Sequence, residues 1–127
     1  MMKTAVLFLF ALIALYAGCS NNSEVLIGGV ETDSSTRLAM SYDKFTGYRE
    51  TVVRVNNDSP VLVRVDILTE SGSLDAFIAL DNDADNRMYE GNGIPTTSFT
   101  VNLKGPGQCT LRVEAKSHSG SYSFSWD

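Results

Sequence analysis

Residues 61–80 read VLVRVDILTESGSLDAFIAL, and the fold turns on how this stretch is parsed. Val61, Val63, Val65 and Ile67 alternate with Leu62, Arg64, Asp66 and Leu68. That period of two is the pattern of a strand with one face in a core. The tail LDAFIAL is apolar on both faces, as expected of a central strand. Between the two runs, ESGS at 70–73 carries turn chemistry. Read as a hairpin, it sets Ile67 opposite Ala76, Val65 opposite Ile78 and Val63 opposite Leu80. Apolar then meets apolar, as a strand register requires.

The same grammar continues outward. Val53 and Val55 share a face in RETVVRVN, and Phe99, Val101 and Leu103 alternate with Thr100 and Asn102. Cys109, Leu111, Val113 and Ala115 alternate with Thr110, Arg112 and Glu114, and Tyr122, Phe124 and Trp126 alternate with serines. The turn-rich stretches NNDSP (56–60), GNGIP (91–95), KGPG (104–107) and SHSG (117–120) separate the runs, and all 3 prolines lie in them. SHSG, read as a second hairpin, places Ala115, Val113 and Leu111 opposite Tyr122, Phe124 and Trp126. TRLAMSYDKF at 36–45 fits a strand through Leu38, Met40 and Tyr42, or a helix face through Leu38, Tyr42 and Phe45; the strand agrees with its neighbours. The expectation is an all-β chain: an antiparallel β-sandwich, jelly-roll or immunoglobulin-like, of seven or eight strands over residues 37–127.

The N-terminus has a different character. Lys3 precedes an uncharged run from Ala5 to Tyr16, 12 residues long and almost all apolar. A membrane-spanning helix needs about 20 such residues, so this run has the length of a signal-peptide core. It ends in Ala17, Gly18 and Cys19. Small residues before a cysteine resemble the lipobox of bacterial lipoprotein signal peptides. The resemblance implies a signal peptide over residues 1–18 and a lipid on Cys19, hence a membrane anchor in the bacterial envelope. An ordinary secretory signal cut after Ala17 or Gly18, or an uncleaved anchor, are the alternatives. Residues 19–36 read as lipidated cysteine plus a Ser/Asn/Thr/Gly-rich tether; EVLIGGV within it offers an edge strand instead. With Cys19 alkylated, Cys109 has no disulfide partner.

The stretches SLDAFIALDNDADN, KGPG leading into QCTLRVEA, and GSYSFSWD resemble the bacterial pre-peptidase C-terminal domain. That resemblance implies a small β-sandwich of the non-catalytic kind that accompanies secreted enzymes.

Composition narrows the function. The formal net charge is -5 and there is no basic surplus to neutralise phosphates, which argues against nucleic-acid binding. With 1 His and 2 Cys, a Cys/His zinc site is excluded and His-based catalysis has little to work with. Asp81, Asp83 and Asp85 in DNDADN are candidate ligands for Ca²⁺, with Glu90 as a possible fourth. They lack the Gly at position six and the Glu at position twelve of an EF-hand, whose places are taken by Asn86 and Asn92. In the hairpin register Phe77 lies on the outer face with Arg64 near it, an aromatic beside a fork of donors that would suit a glycan or peptide. The stripe of Tyr122, Phe124 and Trp126 reads as core, and His118 as a solvent-facing turn residue. The function expected is that of a non-catalytic envelope lipoprotein whose β-sandwich binds a protein or carbohydrate. The alternative is a calcium-stabilised accessory module.

Overall fold

The computed structural model describes residues 24–81 and 83–127. Their strands are β1 (Val25–Ile27), β2 (Val30–Glu31), β3 (Arg37–Val55), β4 (Val61–Leu80), β5 (Arg87–Gly91), β6 (Thr97–Leu103) and β7 (Gly107–Ser125). They form one antiparallel 7-stranded sheet in the order β1-β3-β7-β4-β5, with β2 added to β3 and β6 to β4. The strand reading of 36–45 is correct: that stretch opens β3.

The two expected hairpins do not form. ESGS lies inside β4, a single strand of 20 residues, and SHSG lies inside β7, a strand of 19. These strands pair with each other from Arg64 to Leu80 and from Ser125 back to Cys109. Val65 lies opposite Phe124, Ile67 opposite Tyr122, Ala76 opposite Val113 and Ile78 opposite Leu111. β3 lines the other side of β7, with Leu38 opposite Phe124 and Val53 opposite Cys109.

All three long strands bend at the same level. The register slips between Tyr42 and Gly47 of β3 against β7, and between Thr69 and Ser73 of β4 against β7. Each bend shifts the parity of the buried face. Leu38, Met40 and Tyr42 are buried before the bend of β3, and Phe45, Val53 and Val55 after it. In β4 the buried set passes from Val63, Val65 and Ile67 to Leu74, Ala76 and Ile78. In β7 it passes from Cys109, Leu111, Val113 and Ala115 to His118, Tyr122 and Phe124. Slipped register with a parity change is the signature of a bulge, which turns a strand sharply while keeping one side inward. The sheet thereby folds over itself into a sandwich whose layers are joined by strands passing through the corner. Sheet A contains the first halves of β3 and β4, the second half of β7, and β6. Sheet B contains the opposite halves and β5. One hydrophobic core draws on both.

Residues 24–36 do not form a tether. β1 pairs with Lys44–Thr46 and β2 with Met40–Ser41. Arg49 then binds Glu24 and Glu31 together, clamping this segment to β3. The edge-strand alternative for EVLIGGV is the observed one.

His118 also departs from its sequence expectation. It is fully buried at the corner, not solvent-facing. Tyr42 Oη lies 2.6 Å from its Nδ1, and Thr69 Oγ1 2.8 Å from its Nε2. Thr69 gives its own proton to the Ile94 carbonyl at 2.8 Å. The threonine therefore accepts from the ring, Nε2 carries the hydrogen, and Nδ1 accepts from Tyr42. This chain ties the bends of β3, β7 and β4 to the loop after β5. It is satisfied only by neutral imidazole, and burial lowers the His118 pKa from its ordinary value.

The unfolded chain takes up this proton below about pH 6.5, where the native state still refuses it. Stability is therefore complete above that pH and falls as pH drops through it, by up to about 1.4 kcal/mol per pH unit. Melting scans between pH 7.5 and 5.5, compared with the same scans of His118→Gln, are expected to show a steeper fall in wild type.

Candidate functional site

The outer face of sheet B holds an open cleft of about 620 Å³, lined by Tyr48, Asp75, Arg112 and Glu114 among others. A smaller one of about 150 Å³ adjoins it, sharing Asp75, Arg112 and Glu114 and adding Phe77, Arg87 and Glu90. Alternation puts these side chains outward because their neighbours Leu74, Ala76, Ile78, Leu111, Val113 and Ala115 are in the core. Register then sets them in rows. Tyr48, Glu114 and Asp75 occupy one row across β3, β7 and β4, and Glu50, Arg112 and Phe77 occupy the next. Glu90 of β5 extends the second row beside Phe77.

Two aromatic rings thus lie on the face, two strand spacings (about 10 Å) apart across the sheet and one row apart along it. Each is partnered by a guanidinium. Arg112 lies over the Tyr48 ring at 4.0 Å, and Arg87 over the Phe77 ring at 4.5 Å. The arginines are in turn held by carboxylates: Arg112 by Glu114 at 2.7 Å and more loosely by Glu50 at 3.6 Å, and Arg87 by Glu90 at 2.8 Å. Asp75 accepts from the Gly93 amide at 2.7 Å. Tyr48 remains half exposed. The face therefore offers aromatic surface, fixed donors and fixed acceptors, with its positive charges already neutralised.

Of the residues expected from sequence, Phe77 belongs to this face and Arg64 does not. Arg64 lies in the first half of β4, opposite Ser125 and Thr100 on sheet A. The hairpin that would have brought the two together does not exist, so they are 13 residues apart along one strand.

The acidic loop is also not assembled as a cation site. Asp81 has φ 53, and its carboxylate faces the Gln108 amide at 3.4 Å. Asp83 caps the short 3₁₀ turn Ala84–Asn86 by accepting from the Asp85 amide at 2.9 Å. Glu90 is paired with Arg87. Among the described residues no group of three or more His, Cys, Asp or Glu side chains is placed to hold a metal ion.

Tyr122 and Phe124 are core, as their alternation predicts, and Trp126 is partly buried against it. Cys109 is a buried free thiol, 3.9 Å from the Met88 sulfur, with its pKa raised by burial and then by Asp81. Cys19 lies outside the described residues. Among the described residues no helix is long and apolar enough to cross a membrane.

Sequence reading missed Tyr48, Arg112, Asp75 and Glu114. The alternation in LDAFIAL and QCTLRVEA already assigned Asp75, Arg112 and Glu114 to outer faces. It did not show that these two faces are neighbours, because the pairing of β4 with β7 is long-range.

No family model matches the chain, and no curated protein matches it. Among solved structures the chain is similar to the carbohydrate binding module CBM6cm-2 of lichenase 5A from Cellvibrio mixtus, solved in complex with cellotriose. The identity is 15% over 80% of this chain and 95% of that chain, with a TM-score of 0.36.

Proposed function

We propose that this chain is a non-catalytic, lipid-anchored protein of the bacterial envelope whose sheet B face binds a carbohydrate. The observation that carries the reading is the pairing of Tyr48 and Phe77 with Arg112, Arg87 and the flanking carboxylates on one open face. A sugar ring presents apolar C–H faces and a rim of hydroxyls that both donate and accept. Aromatic rings match the first, and a mixed set of guanidinium and carboxylate groups matches the second. The lone imidazole supports a binding role over a catalytic one, because His118 is enclosed at the corner and fully engaged.

A glycan-array screen of the labelled chain, followed by titration of the best oligosaccharide, tests this. Tyr48→Ala and Phe77→Ala are each expected to weaken binding about tenfold or more, equal to about 1.4 kcal/mol. Ser123→Ala on sheet A is expected to leave it unchanged. An array without a carbohydrate signal, or binding indifferent to both aromatic substitutions, rejects the reading.

Anchoring has its own test. Lipid chains stabilise membrane attachment by about 0.8 kcal/mol per buried methylene, so two or more acyl chains hold a protein firmly. In bacteria fed labelled palmitate, wild type is expected to carry label and partition into detergent. Cys19→Ser is expected to lose both. Equal labelling of the two proteins rules out Cys19 as the anchor.

A further inference from the structure

On the opposite side of the molecule, we propose a second site: an oxyanion-binding cleft on sheet A, built on Arg37 and Arg64. Both pair with Ser125 of β7, one from each side, so the three form one row across β3, β7 and β4. All three line a cleft of about 360 Å³ together with Leu62, Trp126 and Asp127. Two strand spacings set the arginine Cα atoms about 10 Å apart. Their long side chains can converge on a single group seated above Ser125.

The electrostatic context separates these arginines from three of the others. Arg49, Arg87 and Arg112 are each held by glutamates. Among the described residues, neither Arg37 nor Arg64 has an ion-pair partner, and both are exposed. The acidic groups facing this region are few. Asp66, next along the outer face of β4, accepts from the Ser98 hydroxyl at 2.6 Å. Asp127 lines the cleft itself and opposes an anion there. A pair of unpartnered guanidinium forks on a chain of net charge -5 is a local reversal of sign. Two planar forks with a hydroxyl between them fit carboxylate or phosphate oxygens through paired N–H donors. The ligand class is therefore an oxyanion, carried as a carboxylate on an acidic sugar or as a phosphate. The site shares no residue with the sheet B face and stands or falls independently of it.

Trp126 is the single tryptophan of the chain, so its emission reports on this cleft directly. The experiment titrates glucuronate, and separately inorganic phosphate, into the full chain in a non-ionic detergent. A saturable change in emission is expected with at least one anion, weakening as salt rises because the groups are exposed. Arg37→Gln and Arg64→Gln are each expected to reduce the affinity at least tenfold. Arg64→Lys, which keeps the charge but loses the fork, is expected to fall between wild type and Arg64→Gln. Arg54→Gln, outside the cleft, is expected to bind as wild type does. Melting curves of each variant establish that it is folded. A response to glucuronate alone assigns the site to a carboxylate, and to phosphate alone to a phosphate. No saturable change with either anion overturns the proposal, as does a response undiminished in both glutamine variants. Tyr48→Ala is expected to leave this titration unaltered, which separates its outcome from that of the carbohydrate reading.

Discussion

Gly120→Ala is expected to destabilise the domain by about 4 kcal/mol or more, a large share of the roughly 5–15 kcal/mol that holds such a domain folded. Gly120 lies where β7 crosses the bend of β4, opposite Thr69. Its φ is 142°, in the region that side chains rarely adopt, and a Cβ there would overlap the Leu68 carbonyl. The contact is reciprocated. A Cβ on Gly72, at φ 77°, would overlap the Ser117 carbonyl. The two backbones thus approach so closely that neither side has room for a methyl group, and backbone atoms cannot swing away as a flexible side chain can. Gly93→Ala is the matched control. Gly93 also has positive φ, 58°, but nothing lies within 4 Å of the added carbon. Only the left-handed conformation is then penalised, at roughly 1–2 kcal/mol. Urea denaturation of the domain lacking residues 1–19 measures both. If the two alanine variants lose equal stability, the corner is not packed this tightly.

Phe124→Ala is expected to cost about 3–5 kcal/mol, from lost transfer energy and the cavity left behind. Phe124 is completely buried between Leu38 of β3 and Val65 of β4, with the Tyr122 ring 6.2 Å away. A small domain has only about 5–15 kcal/mol in all. Ser123, one residue earlier, points outward, and Ser123→Ala is expected to change stability by less than about 0.5 kcal/mol. Near-equal midpoints for the two variants in urea would mean that this end of β7 faces solvent.

Much of this was legible locally. Alternation assigned Val63, Val65, Ile67, Cys109, Leu111, Val113, Tyr122 and Phe124 to the inner face, and all are buried. The same period, run backward from Phe124 through Tyr122 and Gly120, arrives at His118. The signal for a buried histidine was therefore present. It was masked because SHSG has the composition of a turn, and a turn reading breaks the period at that point. Phe77 is an outward aromatic, as its alternation predicts, but its neighbours are Arg112, Glu90 and Arg87 and not Arg64, which lies on sheet A.

The hairpin error has a physical origin. A two-strand hairpin and a bulged strand both bring a parity change and Gly/Ser-rich chemistry into the middle of an apolar pattern. Ile67 to Leu74 and Ala115 to His118 show the same break under either reading. What distinguishes them is which strand satisfies the backbone amides and carbonyls on each side, and that is a matter of partners distant in sequence.

By itself the sequence determined the all-β class and the inward and outward faces of the strand segments on either side of the bends. These follow from side-chain period and from hydropathy within a few residues. Only the tertiary structure decided that β3, β4 and β7 run unbroken through a common corner, that His118 joins their bends, and that Tyr48, Arg112 and Phe77 share one face while Arg37 and Arg64 share another. Those placements depend on hydrogen bonding between strands tens of residues apart, and local alternation carries no information about which strand lies beside which.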